Sequence, residues 1–282
     1  MAEERGDSAE KGGFYTDTAR IVLKVMDLKK YFEDVRAVDG LTFTLREGEI
    51  YGLLGPNGAG KTTAIKSILG LLTLNGGKIE VLDGLDPTRT PEKVKENIGY
   101  VAEEAELYES MTVKELFEFI ASIRRLDPDR ATRNANEYLA SLDALKYFDK
   151  FIGGLSRGNK QKVQIVAALL HEPKLLILDE PLSGLDARSA RVLKEIFQIH
   201  IERGGSIILS THIMEQAQTL CNRIGIINQG KMVAEGTFEE LQALAQSAGA
   251  TSLEEIFLRL TGQVEAANGI IEKLRQLGLK KN

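Results

Sequence analysis

Apolar positions change period several times along this chain, and each change predicts an element. Residues 1 to about 18 are polar and aperiodic, so a disordered tail is expected there. From Ile21 the pattern becomes strand-like. Leu41-Thr42-Phe43-Thr44-Leu45 alternates apolar and polar residues, as an antiparallel strand with one wet face requires. Ile50 to Leu54 predicts a strand buried on both faces, and Lys61 to Leu72 follows with Ile65, Ile68, Leu69 and Leu72 at helical spacing. Short strands are expected at Lys78 to Leu82 and Ile98 to Val101, and then the pattern turns helical. Leu116, Phe119, Ile120 and Ile123 share one predicted helical face, Asp127-Pro128 closes that helix, and Arg130 to Leu142 forms the next.

Strands resume at Leu175 to Leu178, Ser206 to Leu209 and Ile224 to Asn228, with helices expected around Arg188 to Ile201 and Ile213 to Leu220. Alternation of this kind implies a mainly parallel sheet covered by helices. Beyond Gly236 only helical patterns occur, and no internal repeat is present. The expected organisation is a tail over 1–18, an α/β domain over 19–236 with a helical insert at about 106–170, and a C-terminal helical extension over 237–282.

Composition narrows the function classes. The 282 residues can bury a substantial core without staples, and the single cysteine, Cys221, cannot form an internal bridge. No stretch reaches 18 consecutive apolar residues, and Met1 to Asp7 lacks the basic then apolar layout of a secretory signal, so a chain that stays inside the cell is expected. The net charge of −5 provides no general attraction to phosphate backbones, and nucleic acid is not expected as a partner.

Two segments carry chemistry. Gly55-Pro56-Asn57-Gly58-Ala59-Gly60-Lys61-Thr62, followed by Thr63, lies between a predicted strand and a predicted helix. Residues without bulky side chains let backbone N–H groups turn inward at a helix N-terminus, which makes an anion cradle for β- and γ-phosphates. Lys61 would add a point charge, and the Thr62 hydroxyl would be one ligand of Mg²⁺. Leu175 to Leu178 then leads into Asp179 and Glu180 at a strand's carboxyl end, where doubly wound sheets bind ligands. One carboxylate can hold magnesium through water while the other polarises an attacking water.

Leu155-Ser156-Arg157-Gly158-Asn159-Lys160-Gln161 precedes the helix that carries Val163 to Leu170. It resembles the Leu-Ser-Gly-Gly-Gln signature of the ATP-binding cassette (ABC) ATPases, and the likeness runs from about Ile21 to Gly236. Arg157 and Asn159 depart from that pattern. An N-cap by Ser156 accounts for the same residues locally, and the two readings are compatible. The resemblance implies an α/β P-loop NTPase fold: a RecA-like mixed sheet, an antiparallel β-subdomain and a helical insert.

The resemblance also implies ATP as the ligand and Ser156 and Gly158 closing over the γ-phosphate held by a second subunit. Asp186, in Ser183-Gly184-Leu185-Asp186, would face that subunit, and His212 would contact the γ-phosphate and the catalytic water. Phe32 would stack on adenine, with Tyr31 as the alternative. Glu103 stands where family members usually place a magnesium-binding glutamine; its carboxylate can still ligate Mg²⁺. One phosphate loop and one signature per chain imply a second ABC ATPase subunit, identical or related, and separate transmembrane permease subunits touched near Glu104 to Thr112. Leu253 to Gly262 resembles a stretch of ABC-2 type ATPases, mostly exporters. The expectation is a peripheral subunit on the cytoplasmic membrane face that couples ATP hydrolysis to transport. The alternative is a soluble ABC ATPase acting in complex assembly.

Overall fold

The computed structural model of the chain describes residues 19–245, 252–263 and 269–270. The expected tail at 1–18 and most of the chain after Gln263 lie outside the described residues. An antiparallel sheet of order β2-β1-β4 is formed by β1 (Ile21–Phe32), β2 (Val35–Arg46) and β4 (Gly76–Val81). The period-two pattern determines its register. Val25 pairs with Phe43 and Ile79, so Leu41, Phe43 and Leu45 enter the core while Thr42 stays exposed.

The second sheet has the order β5-β6-β7-β3-β8-β9. Its strands are β3 (Ile50–Leu54), β5 (Ile98–Val101), β6 (Leu175–Asp179), β7 (Ser206–Thr211), β8 (Arg223–Asn228) and β9 (Lys231–Gly236). The first five strands in that order run parallel and β9 pairs antiparallel with β8. Leu54 pairs with Thr211 and Asp179 with Ser210, so the loops after β3, β6 and β7 leave the sheet side by side. That shared carboxyl edge is where ligands bind in such sheets. β9 is an element the apolar pattern does not predict. It is a part-buried edge strand, and a tight turn with positive φ at Gln229 (49°) and Gly230 (76°) returns the chain to it.

The helices are α1 (Lys61–Ile68), α2 (Pro91–Glu96), α3 (Val113–Ile123), α4 (Pro128–Ser141), α5 (Arg157–Leu169), α6 (Ala187–Glu202), α7 (Met214–Leu220), α8 (Phe238–Leu244) and α9 (Leu253–Leu260). α1 is shorter than its periodicity suggests because Gly70, at φ 68°, turns the chain out. α3 buries Val113, Leu116, Phe117 and Ala121, so only half of the expected face turns inward: Leu116 is buried and Ile120 packs against the core, while Phe119 and Ile123 are exposed and Phe119 meets the Tyr108 ring edge-on at 5.9 Å. Asp127 does not close α3; it caps α4 by accepting the Arg130 N–H at 2.7 Å, with Pro128 in the first turn.

Three apolar clusters hold these layers. One lies inside the helical insert and under β6 and β7, a second fills the space between the two sheets, and a third joins Leu54, Ala217, Ile224 and Ile226 to Leu241, Leu253, Ile256 and Phe257. Helices α8 and α9 are therefore packed onto α7 and β8. Among the described residues no helix is long and apolar enough to cross a membrane.

Candidate active site

The loop from Gly55 to Gly60 is pressed between neighbours. A Cβ on Gly55 would overlap the Ile227 carbonyl oxygen, and one on Gly60, at φ 104°, would overlap that of Ala37. Gly60 caps α1 without a side chain, so the first N–H groups of α1 receive no side-chain acceptor. With the helix dipole behind them, they form a site for an anion. Lys61 is 6% exposed, and its Nζ donates to the carbonyls of Gly55 at 2.7 Å and Pro56 at 3.3 Å. Burial pulls its pKa below the usual lysine value, while Glu180, Asp179 and Glu103 act the other way.

The two carboxylates at the end of β6 are both buried and differently held. Asp179 Oδ1 accepts the Ser210 hydroxyl, and Oδ2 is a buried oxygen without a hydrogen-bond partner. Glu180 turns out of the strand at φ 48°. Its Oε1 accepts the His212 backbone N–H at 2.8 Å, lies 2.7 Å from His212 Nδ1 and stands 3.9 Å from Lys61 Nζ. Its Oε2 faces the Thr211 hydroxyl at 3.2 Å. Lys61, Glu180 and His212, far apart in sequence, thus meet around one carboxylate.

A cavity of about 560 Å³ covers the loop from Asn57 to Thr63 and is bounded also by Glu103, Asp179, Glu180, Gln229 and Val35–Ala37 at the start of β2. Ser156, Gly158, Asp186 and Phe32 do not line it. Ser156 caps α5, accepting the Asn159 N–H at 3.4 Å. Gly158 lies so close to the Ser183–Asp186 loop that a Cβ would sit 2.5 Å from the Gly184 carbonyl oxygen. Gln161 donates to the Pro181 carbonyl at 3.4 Å, and Lys162 bonds Asp186 at 3.1 Å. Asp186 also accepts the Ser189 N–H and hydroxyl, both at 2.8 Å, and these bonds with Lys162 hold its pKa far below the usual carboxylate range. Phe32 ends β1 largely exposed, with Lys30 Nζ 4.7 Å from its ring centre. Tyr31 is engaged elsewhere: its hydroxyl donates to Asp39 at 2.9 Å. With its amide turned so that both ends find partners, Gln164 accepts the Ala102 N–H at 2.9 Å and donates to the Ala102 carbonyl at 3.1 Å, which ties the Glu103 loop to α5.

Residues 38–183 match the family described as ABC transporter. The chain is 37% identical over 221 residues to the Bacillus subtilis ABC transporter ATP-binding protein YhaQ, covering 78% of this chain and 73% of that one. It is 38% identical to the linearmycin resistance ATP-binding protein LnrL of the same species, covering 78% of this chain and 70% of the relative. A solved ATP-binding subunit of an ABC transporter superposes with a TM-score of 0.81 at 34% identity, over 85% of this chain and 99% of that structure. The chain belongs to the ABC transporter ATP-binding family.

As an ABC ATPase it binds and hydrolyses ATP, and the fold expected from the resemblance is present: mixed sheet, antiparallel sheet and helical insert. Its residues suit the nucleotide, since the loop leaves no room for a Cβ at Gly55 or Gly60 and the N-terminus of α1 behind it has no side-chain cap. They also suit a hard cation. Asp179 Oδ2 is a buried carboxylate oxygen without a hydrogen-bond partner, the kind of donor such a cation takes, and Glu103 lines the same cavity. The sequence reading missed two walls of the ABC ATPase cavity, Gln229 and Val35–Ala37. Val35–Ala37 open β2 and Gln229 sits in a turn; Asn228-Gln229-Gly230 is a legible turn signal, but the position of either segment over the loop is not legible.

Proposed function

We propose that this chain is the ATP-hydrolysing half of a membrane exporter, working as a pair of copies around two MgATP. The observation that carries this reading is Glu180 gripped by His212 and facing Lys61 beside a cavity that the chain's own Ser156 and Gly158 do not line. In this reading Asn57 to Thr63 cradle the phosphates, and Lys61 neutralises them. Mg²⁺, when bound, would draw charge from the phosphate oxygens, with Thr62, Asp179 and Glu103 around it. Glu180 accepts a proton from the attacking water, and His212, fixed through Nδ1, presents the rest of its ring toward the γ-phosphate. The partner copy supplies its own Ser156 and Gly158, and Asp186 braces that segment through Lys162. Phe32 stacks on adenine, a role its exposure permits and Tyr31's bond to Asp39 does not favour.

Transport enters through the relatives. LnrL is named for linearmycin resistance, and Daunorubicin resistance ATP-binding protein DrrA2 of Streptomyces coeruleorubidus is 35% identical over 217 residues. These names support export through separate permease subunits, with this chain peripheral on the cytoplasmic face. The exposed Tyr108, Phe119 and Ile123 offer apolar contacts to such a permease.

Glu180→Gln tests the chemistry. Removing the base while leaving the cradle intact should lower kcat by about 10²–10⁴-fold, hold ATP affinity within about twofold, and trap a closed pair on gel filtration with ATP. Turnover at the wild-type rate would overturn the assignment.

A further inference from the structure

The Thr211 hydroxyl is a junction between the hydrolytic centre and α7. Its oxygen accepts the Ile213 N–H at 3.0 Å, lies 3.2 Å from Glu180 Oε2 and is 3.4 Å from the Gln216 side-chain oxygen. A hydroxyl has one proton and two acceptor sites. Both the Glu180 and the Gln216 oxygens face this one proton; a carboxylate can only accept whereas an amide can turn to present its NH₂, so the proton goes to the nearer Glu180 and Gln216 joins Ile213 in filling the acceptor sites. Glu180 is then held at both oxygens, by Thr211 on one and His212 on the other.

Gln216 lies on α7, a helix of seven residues that begins two residues after His212. So short a helix is not stable by itself and takes its position from what it packs on. Ala217 is fully buried and Met214 partly buried in the cluster that contains Leu253, Ile256 and Phe257 of α9. Gln218 of the same helix accepts the Leu253 N–H at 3.2 Å. The C-terminal helix thus grips the element that carries Gln216.

We propose that Gln216 is a positioning residue for Glu180 and His212, acting through the Thr211 hydroxyl, and that α9 sets its place by clamping α7. The inference rests on Glu180 being the base. It gives residues beyond Gly236 a part in hydrolysis, although none of the described ones lines the cavity.

The test uses the full chain with MgATP and steady-state kinetics. Gln216→Leu, close in size but without hydrogen bonds, should lower kcat about tenfold and leave KM for ATP within about twofold. Thr211→Val should give a similar or larger loss, and Thr211→Ser, which keeps the hydroxyl, should restore most of the rate. Because both residues act through one hydroxyl, the double variant should be no slower than Thr211→Val alone. Phe257→Ala should slow the wild type but add nothing to Gln216→Leu. Gln216→Leu with kcat within about twofold of wild type, or losses that multiply in the double variant, would overturn the proposal. A Phe257→Ala loss of equal factor in both backgrounds would remove α9 from it. If Glu180→Gln abolishes turnover while Gln216→Leu does not, only this inference fails; if Glu180→Gln turns over normally, the reading beneath it fails as well.

Discussion

Glu103 and Asp179 differ in one respect that decides how each could serve a cation. Asp179 is buried with one oxygen free, whereas Glu103 is exposed on a loop that Gln164 holds by the backbone of its neighbour. An exposed carboxylate near Asp179 and Glu180 adds attraction for Mg²⁺ through charge more than through geometry. Glu103→Gln should therefore raise the Mg²⁺ concentration for half-maximal turnover several-fold, with kcat at saturating Mg²⁺ nearly unchanged. A Mg²⁺ titration of ATPase rate checks this, and an unmoved midpoint removes Glu103 from the metal's surroundings. At this scale the loop residues and both carboxylates were legible because their chemistry is written in adjacent letters. The hold of Thr211 and His212 on Glu180 was not, since it depends on β6 and β7 being neighbours, which no local pattern states.

Among the elements, α5 depends most visibly on a close approach. Its first turn carries Gly158 against the Gly184 carbonyl, and its second carries Gln161 and Lys162 to Pro181 and Asp186. Gly158→Ala is favourable to the helix by about 1 kcal/mol, yet its Cβ must push the Ser183–Asp186 loop away. Turnover should fall at least about tenfold while ATP affinity of the single chain holds within about twofold. Gly154→Ala, where nothing lies within 4 Å of the added carbon, is the control and should keep its rate. Strand and helix types were read correctly for most of this region because their periods are clear. The face of α3 was misread at Phe119 and Ile123 for a physical reason: in an insert that leaves one apolar side uncovered, hydrophobicity marks two faces, and only packing tells which is inside.

Across the whole molecule, pH acts through buried histidines as well as through the site. His171 Nε2 donates to the Ile98 carbonyl at 3.0 Å while Nδ1 is buried without a partner. Burial, helped by the nearby Arg124 charge and opposed by the bond to Ile98, lowers its pKa to about 4. A group whose folded pKa lies below its unfolded value near 6.5 stabilises fully above that value and loses its contribution as pH falls toward 4. Between pH 7 and pH 5 the loss is about 2 kcal/mol, a fall of several degrees in Tm. Differential scanning calorimetry should show this slope flattened in His171→Gln, which keeps a donor for Ile98.

The cavity beside Glu180 has a kinetic consequence on the proposed pairing. An enzyme whose last wall is carried by another molecule obeys mass action in its own concentration, so free copies idle by dilution even where nucleotide is abundant. Two copies seated side by side on one permease would meet at an effective concentration on the order of millimolar. The permease then acts as more than a load to be moved: by tethering both halves it makes hydrolysis local, and confines it to places where a transport path exists.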